Sequence, residues 1–398
     1  MNLTGLMTGL LGTGMALDSV LRAGLLWKRF RGPRRFAAPA SLSEAGGVDA
    51  AIILIAARDE AGVIGDTVRA LGPMLDEWPG ARVQVVADHC VDQTADEARQ
   101  AGAVVSARMA GRMGKGAVID WWLREQQALW KKGRIIIILD ADSRIEPGTL
   151  AALRGTFAAG ADVAQAFVKP VADTRSGRLA GGSEVLMQSV DDMARSASGW
   201  QVPLRGTGMA FRAGLLAELT PRLHTLAEDL ELDVLIAARK IRVAFVPDAV
   251  LLDPKPMKSD GAARQRARWL RGQLQVLRDY RREALRALAT GGASAWFLLP
   301  LLFMRPKVLF IALRMAALLF SLLMLAIGTA PAILFSGLAG FALTGLLLDS
   351  VYYLAAAPLM SDPQKYLRDL LAAPRYALMW VFSMGLMLVR RGWLRAGR

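Results

Sequence analysis

A chain of 398 residues holds one large domain or two ordinary ones, and its 54% hydrophobic content exceeds that of an ordinary soluble domain, the excess lying after Ser294 in runs almost free of charge. A formal net charge of +14 could suit nucleic acid or an anionic membrane face, but the basic residues cluster beside apolar stretches and no nucleic-acid motif accompanies them, so no nucleic-acid partner is expected. The lone Cys90 excludes an intramolecular disulfide, and His89 and His224 are too few for a histidine metal site.

Residues 3 to 27 are apolar but rich in glycine and interrupted by Asp18 and Arg22. They read as a membrane or interfacial helix within 1–36, anchored on the inner side by Lys28, Arg29, Arg31, Arg34 and Arg35. Basic residues after rather than before the apolar part argue against a cleaved signal peptide. Residues 37–48, rich in Ala, Ser, Gly and Pro, read as a linker.

From Asp49 strands and helices alternate. Ala51 to Ala57 is a buried strand that opens into Arg58, Asp59 and Glu60, followed by a helix to about Leu71. Arg82 to Ala87 is a second strand ending at Asp88, with a helix from Gln93 to Ala101, and Ala103 to Ser106 is a short third strand. A helix over Gly114 to Trp130 leads to Arg134–Ser143, RIIIILDADS, whose four isoleucines and Leu139 suit a strand buried on both faces of a parallel sheet. The run stops at Asp140 and Asp142, and alternation along an extended chain predicts that both side chains point the same way. Helical separations of ten or more residues imply right-handed crossovers and an α/β, mostly parallel sheet, which gathers ligands at the carboxyl ends of its strands. Asp59, Asp88 and the Asp140/Asp142 pair all fall at such ends. Two acids there fit a divalent cation holding a phosphorylated ligand, although a solvated strand end would carry the same residues.

Gly111 to Gly116, GRMGKG, opens a helix with glycines and Lys115; it lacks the Walker spacing, which leaves a lysine contacting a diphosphate or ribose. After Pro147 a helix precedes the strand Val163 to Val168, then a helical stretch from Arg178 to Ser198. Arg205 to Arg212, RGTGMAFR, is a glycine-bearing turn running into a strand, serving either close backbone approach or a plain reversal. Leu226 to Lys240 is a helix with Glu228 and Asp229 in its first turn, where acids either complement the helix dipole or supply a base. In the basic helix from Arg264 to Arg282, Gln265, Arg268 and Trp269 stand at i, i+3 and i+4. That face offers an amide, a guanidinium for diphosphate oxygens and an indole for a sugar face, or else belongs to a surface helix with one buried Trp. Val308 to Gly328 and Pro331 to Leu354 are long enough to span a bilayer, whereas Phe297 to Phe303 and Tyr376 to Val389 read as interfacial. Juxtamembrane basic clusters place Ala51 to Asp253 on the cytoplasmic side.

Four motifs stand in one order: Asp88 in VVADHCVDQT, the DAD of Asp140 to Asp142, the ED of Glu228 and Asp229, and QRARW from Gln265 to Trp269. Together they resemble the membrane-integrated glycosyltransferases of family 2, a GT-A group that includes cellulose, chitin and hyaluronan synthases and ceramide glucosyltransferases. The resemblance covers roughly Asp49 to Tyr280 and, more weakly, the C-terminal membrane region. It implies a GT-A, Rossmann-like catalytic domain at 49–258, a basic interfacial helix at 259–290 and a membrane region at 291–398. It further implies that Asp88 contacts the nucleotide base, that Ala57, Asp59 and Glu60 cup the uridine, and that Asp140 and Asp142 hold the donor diphosphate through Mg²⁺ or Mn²⁺. Asp229 matches the general base, Gln265, Arg268 and Trp269 match the motif beside diphosphate and acceptor, and Lys115 resembles a lysine of the family's GKG segment. His89 and Cys90 depart from the usual pattern and leave the nucleotide preference open.

The implied activity is inverting transfer from a UDP-sugar to a membrane-associated acceptor, a lipid or saccharide, with a β-glycosidic product. The alternative is a processive polysaccharide synthase subunit; a membrane nucleotidyltransferase explains neither the ED nor the QxxRW, and a non-catalytic scaffold would keep the fold. Two or three spanning helices cannot enclose a polar channel, which favours a single transfer to lipid. Oligomeric state is not set by the sequence.

Overall fold

The computed structural model of the chain describes residues 23, 24, 27, 48–127, 134–255, 259–291, 307–328, 332–355, 357–360, 362–373, 376 and 380, with the side chains of 259–266 and 307–309 outside that description. The expected N-terminal helix, all but the last residue of the linker, the 297–303 segment, most of 376–389 and the side chain of Gln265 therefore lie outside the described residues.

Eight strands form one sheet: β1 (Ala50–Ala57), β2 (Arg82–Asp88), β3 (Val104–Arg108), β4 (Arg134–Leu139), β5 (Arg144–Ile145), β6 (Val163–Val171), β7 (Met209–Arg212) and β8 (Val243–Pro254). They lie in the order β3-β2-β1-β4-β7-β6-β8-β5. β3, β2, β1 and β4 are mutually parallel, as are β6 and β8. β7 runs antiparallel between β4 and β6, and β5 antiparallel on β8. The sheet is thus mostly parallel, as the alternating pattern requires.

Strand alternation explains the isoleucine run. Ile136 and Ile138 enter one core with Trp122 and Phe211, while Ile135 and Ile137 enter the other with Trp78 and Phe157. Both faces of β4 are dry from Ile135 to Leu139, so a polar residue has no place there, and each buried Ile contributes roughly 1.5–3 kcal/mol. The first change of character comes after Leu139, where apolar burial ends.

The helices are α1 (Ile64–Leu71), α2 (Thr94–Gln100), α3 (Lys115–Glu125), α4 (Thr149–Ala158), α5 (Arg175–Leu186), α6 (Met193–Ala197), α7 (Ala213–Leu219), α8 (Glu228–Ala238), α9 (Ser259–Asp279), α10 (Arg281–Thr290), α11 (Lys307–Ala326), α12 (Ala332–Leu354) and α13 (Pro363–Leu370). A π-helical turn, Met187–Asp192, joins α5 to α6. α3 ends earlier than the periodicity predicts, its last turn closing on Gln126. The sequence pattern misses β8 because Pro247, Asp248 and Ala249 bulge out of register between Val246 and Val250 and break the alternation.

The C-terminal helices dock on α5 and the π-turn. Tyr352 donates to Asp191 Oδ2 at 3.1 Å, and the Tyr366 ring lies against Gly182. Asp369 accepts from Arg175 Nε at 3.0 Å and Arg178 Nε at 2.5 Å. Two spans were expected here. Among the described residues one helix, beginning at Ala332, is long and apolar enough to cross a membrane, and α11 offers the shorter apolar stretch Phe310–Ala326. Between them Arg314 and Asp349 form an ion pair of 2.5 Å that is closed off from solvent.

Candidate active site

The carboxyl end of β4 opens into a cavity of about 420 Å³. Asp140 stands at its edge with 45% of its side chain exposed, and Lys115, the first residue of α3, donates to Asp140 Oδ1 at 2.5 Å and to the Gly206 carbonyl at 2.7 Å. The Asp140 amide in turn donates to Thr207 Oγ1 at 3.1 Å. Gly206 adopts φ +76° and Gly208 φ +66°, so the RGTG segment is a left-handed loop that only glycines enter without strain. Its purpose is approach: it brings the Gly206 carbonyl to Lys115 and Thr207 to the end of β4.

Glu228 and Asp229, in the first turn of α8, line the same cavity, as do Arg268 and Trp269 of α9. The loop before α8 is fixed by Glu231, which accepts from the His224 and Thr225 amides at 2.9 Å each, and by Gln275, which accepts from the Leu226 amide at 3.1 Å. At Gly272 an added Cβ would come within 2.7 Å of the Ala227 Cβ, so the glycine lets α9 lie against the residue that precedes Glu228. This packing places the ED and the RW at one wall.

The charges are unequal. Burial works against the Lys115 ammonium, but Asp140 and Glu228 outweigh it and hold its pKa above the ordinary lysine value. Burial pushes Glu228 up to about 7 despite the neighbouring Lys115, with Asp229 adding to the rise. Glu228 therefore carries a proton part of the time at neutral pH, limiting the negative charge where an anionic ligand would enter.

The alternation expected for Asp140 and Asp142 does not extend that far. β4 ends at Leu139, and the chain turns through Ala141 and Asp142, with the Ser143 amide donating to the Asp140 carbonyl at 3.2 Å. Asp140 faces the cavity, whereas Asp142 is half-buried in the turn and is not among the cavity-lining residues. The donor chemistry suits a hard divalent cation: Asp140, and Asp142 two residues on in a tight turn, offer carboxylate oxygens, of which Asp140 Oδ1 is held by Lys115. A different group, Asp59, Cys90 and Asp92, has ligand atoms within 4.8 Å of one another. Its carboxylates are taken by the Val91 amide on Asp59 and by the Ala61 and Thr94 amides on Asp92, so it laces two loops together.

The remaining expected residues sit on the neighbouring strand ends and do not line the cavity. Ala57 closes β1, and its carbonyl accepts from Cys90 Sγ at 3.5 Å. Asp59 and His89 both take φ +51°, turning the chain sharply after β1 and β2. The Glu60 amide donates to Thr94 Oγ1 at 2.7 Å. Asp88 is buried; its Oδ1 accepts from Arg108 of β3 and lies 2.8 Å from His89 Nδ1.

Sequence reasoning missed several cavity residues. Glu184 of α5, Asp253 and Lys255 at the end of β8, and Tyr353 of α12 all line it. Burial pushes Asp253 up to about 6, against the pull of Lys255. The signal available was the polar DPK after an apolar stretch, hidden by the β8 bulge.

Residues 50–272 match the sequence profile of glycosyltransferase like family 2. No curated protein sequence matches the chain. Among solved structures it is similar to a mannosyltransferase from Pyrobaculum calidifontis in complex with GDP-Man and Mn²⁺, at 18% identity and TM-score 0.47, covering 85% of this chain and 98% of that one. It is also similar to glucosyl-3-phosphoglycerate synthase from Mycobacterium tuberculosis in complex with Mg²⁺ and UDP, at 19% identity and TM-score 0.39, covering 55% of this chain and 75% of that one.

Proposed function

The chain belongs to the glycosyltransferase-like family 2, and from that premise we propose that it moves one sugar, with inversion, from a UDP-sugar to a hydroxyl of a lipid-borne acceptor at the cytoplasmic face of a membrane. The observation that carries this reading is one cavity in which the end of β4, the Glu228–Asp229 turn and Arg268–Trp269 meet Tyr353 of the C-terminal helices.

The chemistry follows from what each group can do. Asp229 takes the proton of the acceptor hydroxyl as the sugar–phosphate bond breaks. Lys115 and Arg268 face the charge that develops on the leaving diphosphate, and Trp269 offers an indole face to the sugar. Mg²⁺ or Mn²⁺, when held by Asp140 and Asp142, supplies further neutralisation of the diphosphate. The uridine end extends toward the ends of β1, which adjoins β4, and of β2 beyond it, where Ala57, Asp59, Glu60 and Asp88 stand; Gln265 completes the α9 motif. One displacement by one base inverts the anomeric centre and gives a β-linked product from an α-linked donor. Basic residues beside the apolar segments support the cytoplasmic orientation.

Purified protein supplied with a panel of UDP-sugars, lipid extract and Mg²⁺ or Mn²⁺ tests the reading by mass spectrometry. The expected product is organic-soluble and one sugar larger than its acceptor, and it disappears in EDTA. A ladder of longer saccharides would instead identify a polymerase, and release of diphosphate in place of UDP a nucleotidyltransferase.

A further inference from the structure

Besides Lys115 and Asp140, the cavity is bounded by α5, the end of β8 and aromatic residues of the C-terminal segment. There Lys255 Nζ donates to Glu184 Oε2 at 2.6 Å and to Asp253 Oδ2 at 2.7 Å. The lysine side chain is 10% exposed and is therefore fixed in place, while the two carboxylates, at 23% and 20%, keep surface toward the space. Ser176, Ala180, Ser183 and Glu184 of α5 stand at i, i+4, i+7 and i+8, a single helical face, and all line this space. Tyr353, Tyr376 and Trp380 complete its wall.

We propose that the wall formed by this cluster, α5 and the aromatic residues is an acceptor subsite for an uncharged, hydroxyl-rich group, a sugar or polyol head carried on an apolar chain, and that it rejects phosphate acceptors. The inference rests on the transferase reading above and names the class of acceptor. One ammonium stands between two carboxylates, so with all three ionised the cluster carries a net negative charge. A phosphate would have to displace a carboxylate from Lys255 and then sit against both acids. A hydroxyl has the opposite fit. It donates to carboxylate lone pairs and accepts from the ammonium, whose three N–H groups are only partly used by two carboxylates. Seryl hydroxyls on α5 add neutral partners, small side chains on the same face leave room for a ring, and the aromatic wall offers apolar faces with polar edges. The groups lining the cavity thus differ in sign: Lys115 and Arg268 suit a diphosphate, and the Glu184–Lys255–Asp253 cluster suits a hydroxyl donor.

The test uses the full chain in nanodiscs with a UDP-sugar, Mn²⁺ and two acceptors of similar chain length, an alkyl glucoside and a prenyl phosphate. The wild-type protein is expected to favour the glucoside by about tenfold or more in kcat/KM, the scale of one lost charged hydrogen bond. Glu184→Gln keeps the shape and removes the charge. It should raise the KM for the glucoside several-fold and narrow the discrimination, with kcat and the UDP dissociation constant essentially unchanged. Lys255→Gln, which frees both carboxylates, should leave phosphate transfer no better. Wild-type preference for the phosphate, or an unchanged acceptor KM in both variants, would overturn the subsite and leave Lys255 as a clamp between β8 and α5. Failure to bind UDP would remove the transferase premise instead, and UDP binding with transfer to neither acceptor would count against the subsite alone.

Discussion

On one side of β4 the sheet runs β3-β2-β1, all parallel, and its strand ends are tied to one another within residues 59–108: Asp59 to Val91, Glu60 to Thr94, Asp88 to Arg108. On the other side β7, β6, β8 and β5 change direction repeatedly, and the cavity they border draws Glu184, Asp253, Lys255 and Tyr353 from points far apart in the chain. The side proposed to bind the nucleotide is thus assembled within two βα units, whereas the side proposed to bind the acceptor depends on how β8, α5 and the C-terminal helices pack. Under the proposed function, donor and acceptor recognition should therefore fail separately.

The largest separation is expected at Asp229. Asp229→Asn should lower transfer by roughly 10²-fold or more while leaving UDP affinity within a few-fold, because a general base acts only as the hydroxyl loses its proton. An equally active variant would reduce Asp229 to a complement of the α8 dipole. Asp140→Ala should lose turnover too, but together with cation-dependent UDP binding, so the two carboxylates part company in a titration.

At Asp88 the comparison predicts a stability effect. Asp88 and Arg108 are each 5% exposed, so Asp88→Asn leaves a buried guanidinium with a weaker partner, at a cost of up to about 3–5 kcal/mol for a full loss of the pair. The Asp88→Leu, Arg108→Leu double variant should recover much of the unfolding midpoint yet still bind UDP poorly. Recovery of both would remove Asp88 from the nucleotide site.

The legibility of the two sides in the sequence differs for the same reason. Parallel strands buried on both faces spell themselves as AIILIAA and IIIIL, so β1, β2 and β4 were readable, and with them the strand ends at which Asp59, Asp88 and Asp140 stand. Glu228, Asp229, Arg268 and Trp269 were found as motif residues, and their meeting in one cavity depends on the Gly272–Ala227 contact, which no local pattern encodes. The direction of Asp142 was not readable, because alternation holds only while the chain stays extended, and it turns at Ala141. Lys255 and Glu184 were invisible because their pairing spans the β8 bulge and a helix whose partner, α13, lies near the far end of the chain.

A smaller effect should appear in pH. Glu228 is raised from 4.5 to about 7, so the folded protein holds this proton more tightly than the unfolded chain does. Its contribution to stability is complete below 4.5 and is lost as pH rises through about 7, a decline on the order of 1–3 kcal/mol. Glu228→Gln should flatten this decline in denaturant titrations between pH 5 and 8. A wild-type curve already flat across that window would show that Lys115 neutralises Glu228 completely.

The smallest effect belongs to Asp369, where the proposed acceptor side is fastened from outside. Its carboxylate is 3% exposed and accepts from Arg175 and Arg178, which are 62% and 22% exposed. Burial alone would raise its pKa, but Arg178 and then Arg175 prevail and hold it below the ordinary 3.8. The sign is therefore opposite to that at Glu228: stability is fully present above 3.8 and is lost as pH falls through the depressed value. At neutral pH, Asp369→Asn keeps the shape and weakens two charge-assisted bonds, a loss of about 1–2 kcal/mol, less than their full worth because the arginines reach water. Because α13 holds α5 through these bonds and through Tyr366 against Gly182, loosening should show first as faster amide exchange in Pro363–Leu370 and the first turns of α5. Ser176, Ala180 and Glu184 would then be less well placed, raising acceptor KM a few-fold with UDP affinity unchanged. A variant that weakens UDP and acceptor equally would show that the two sides of the sheet are one cooperative unit, and the division between local donor recognition and long-range acceptor recognition would fail there.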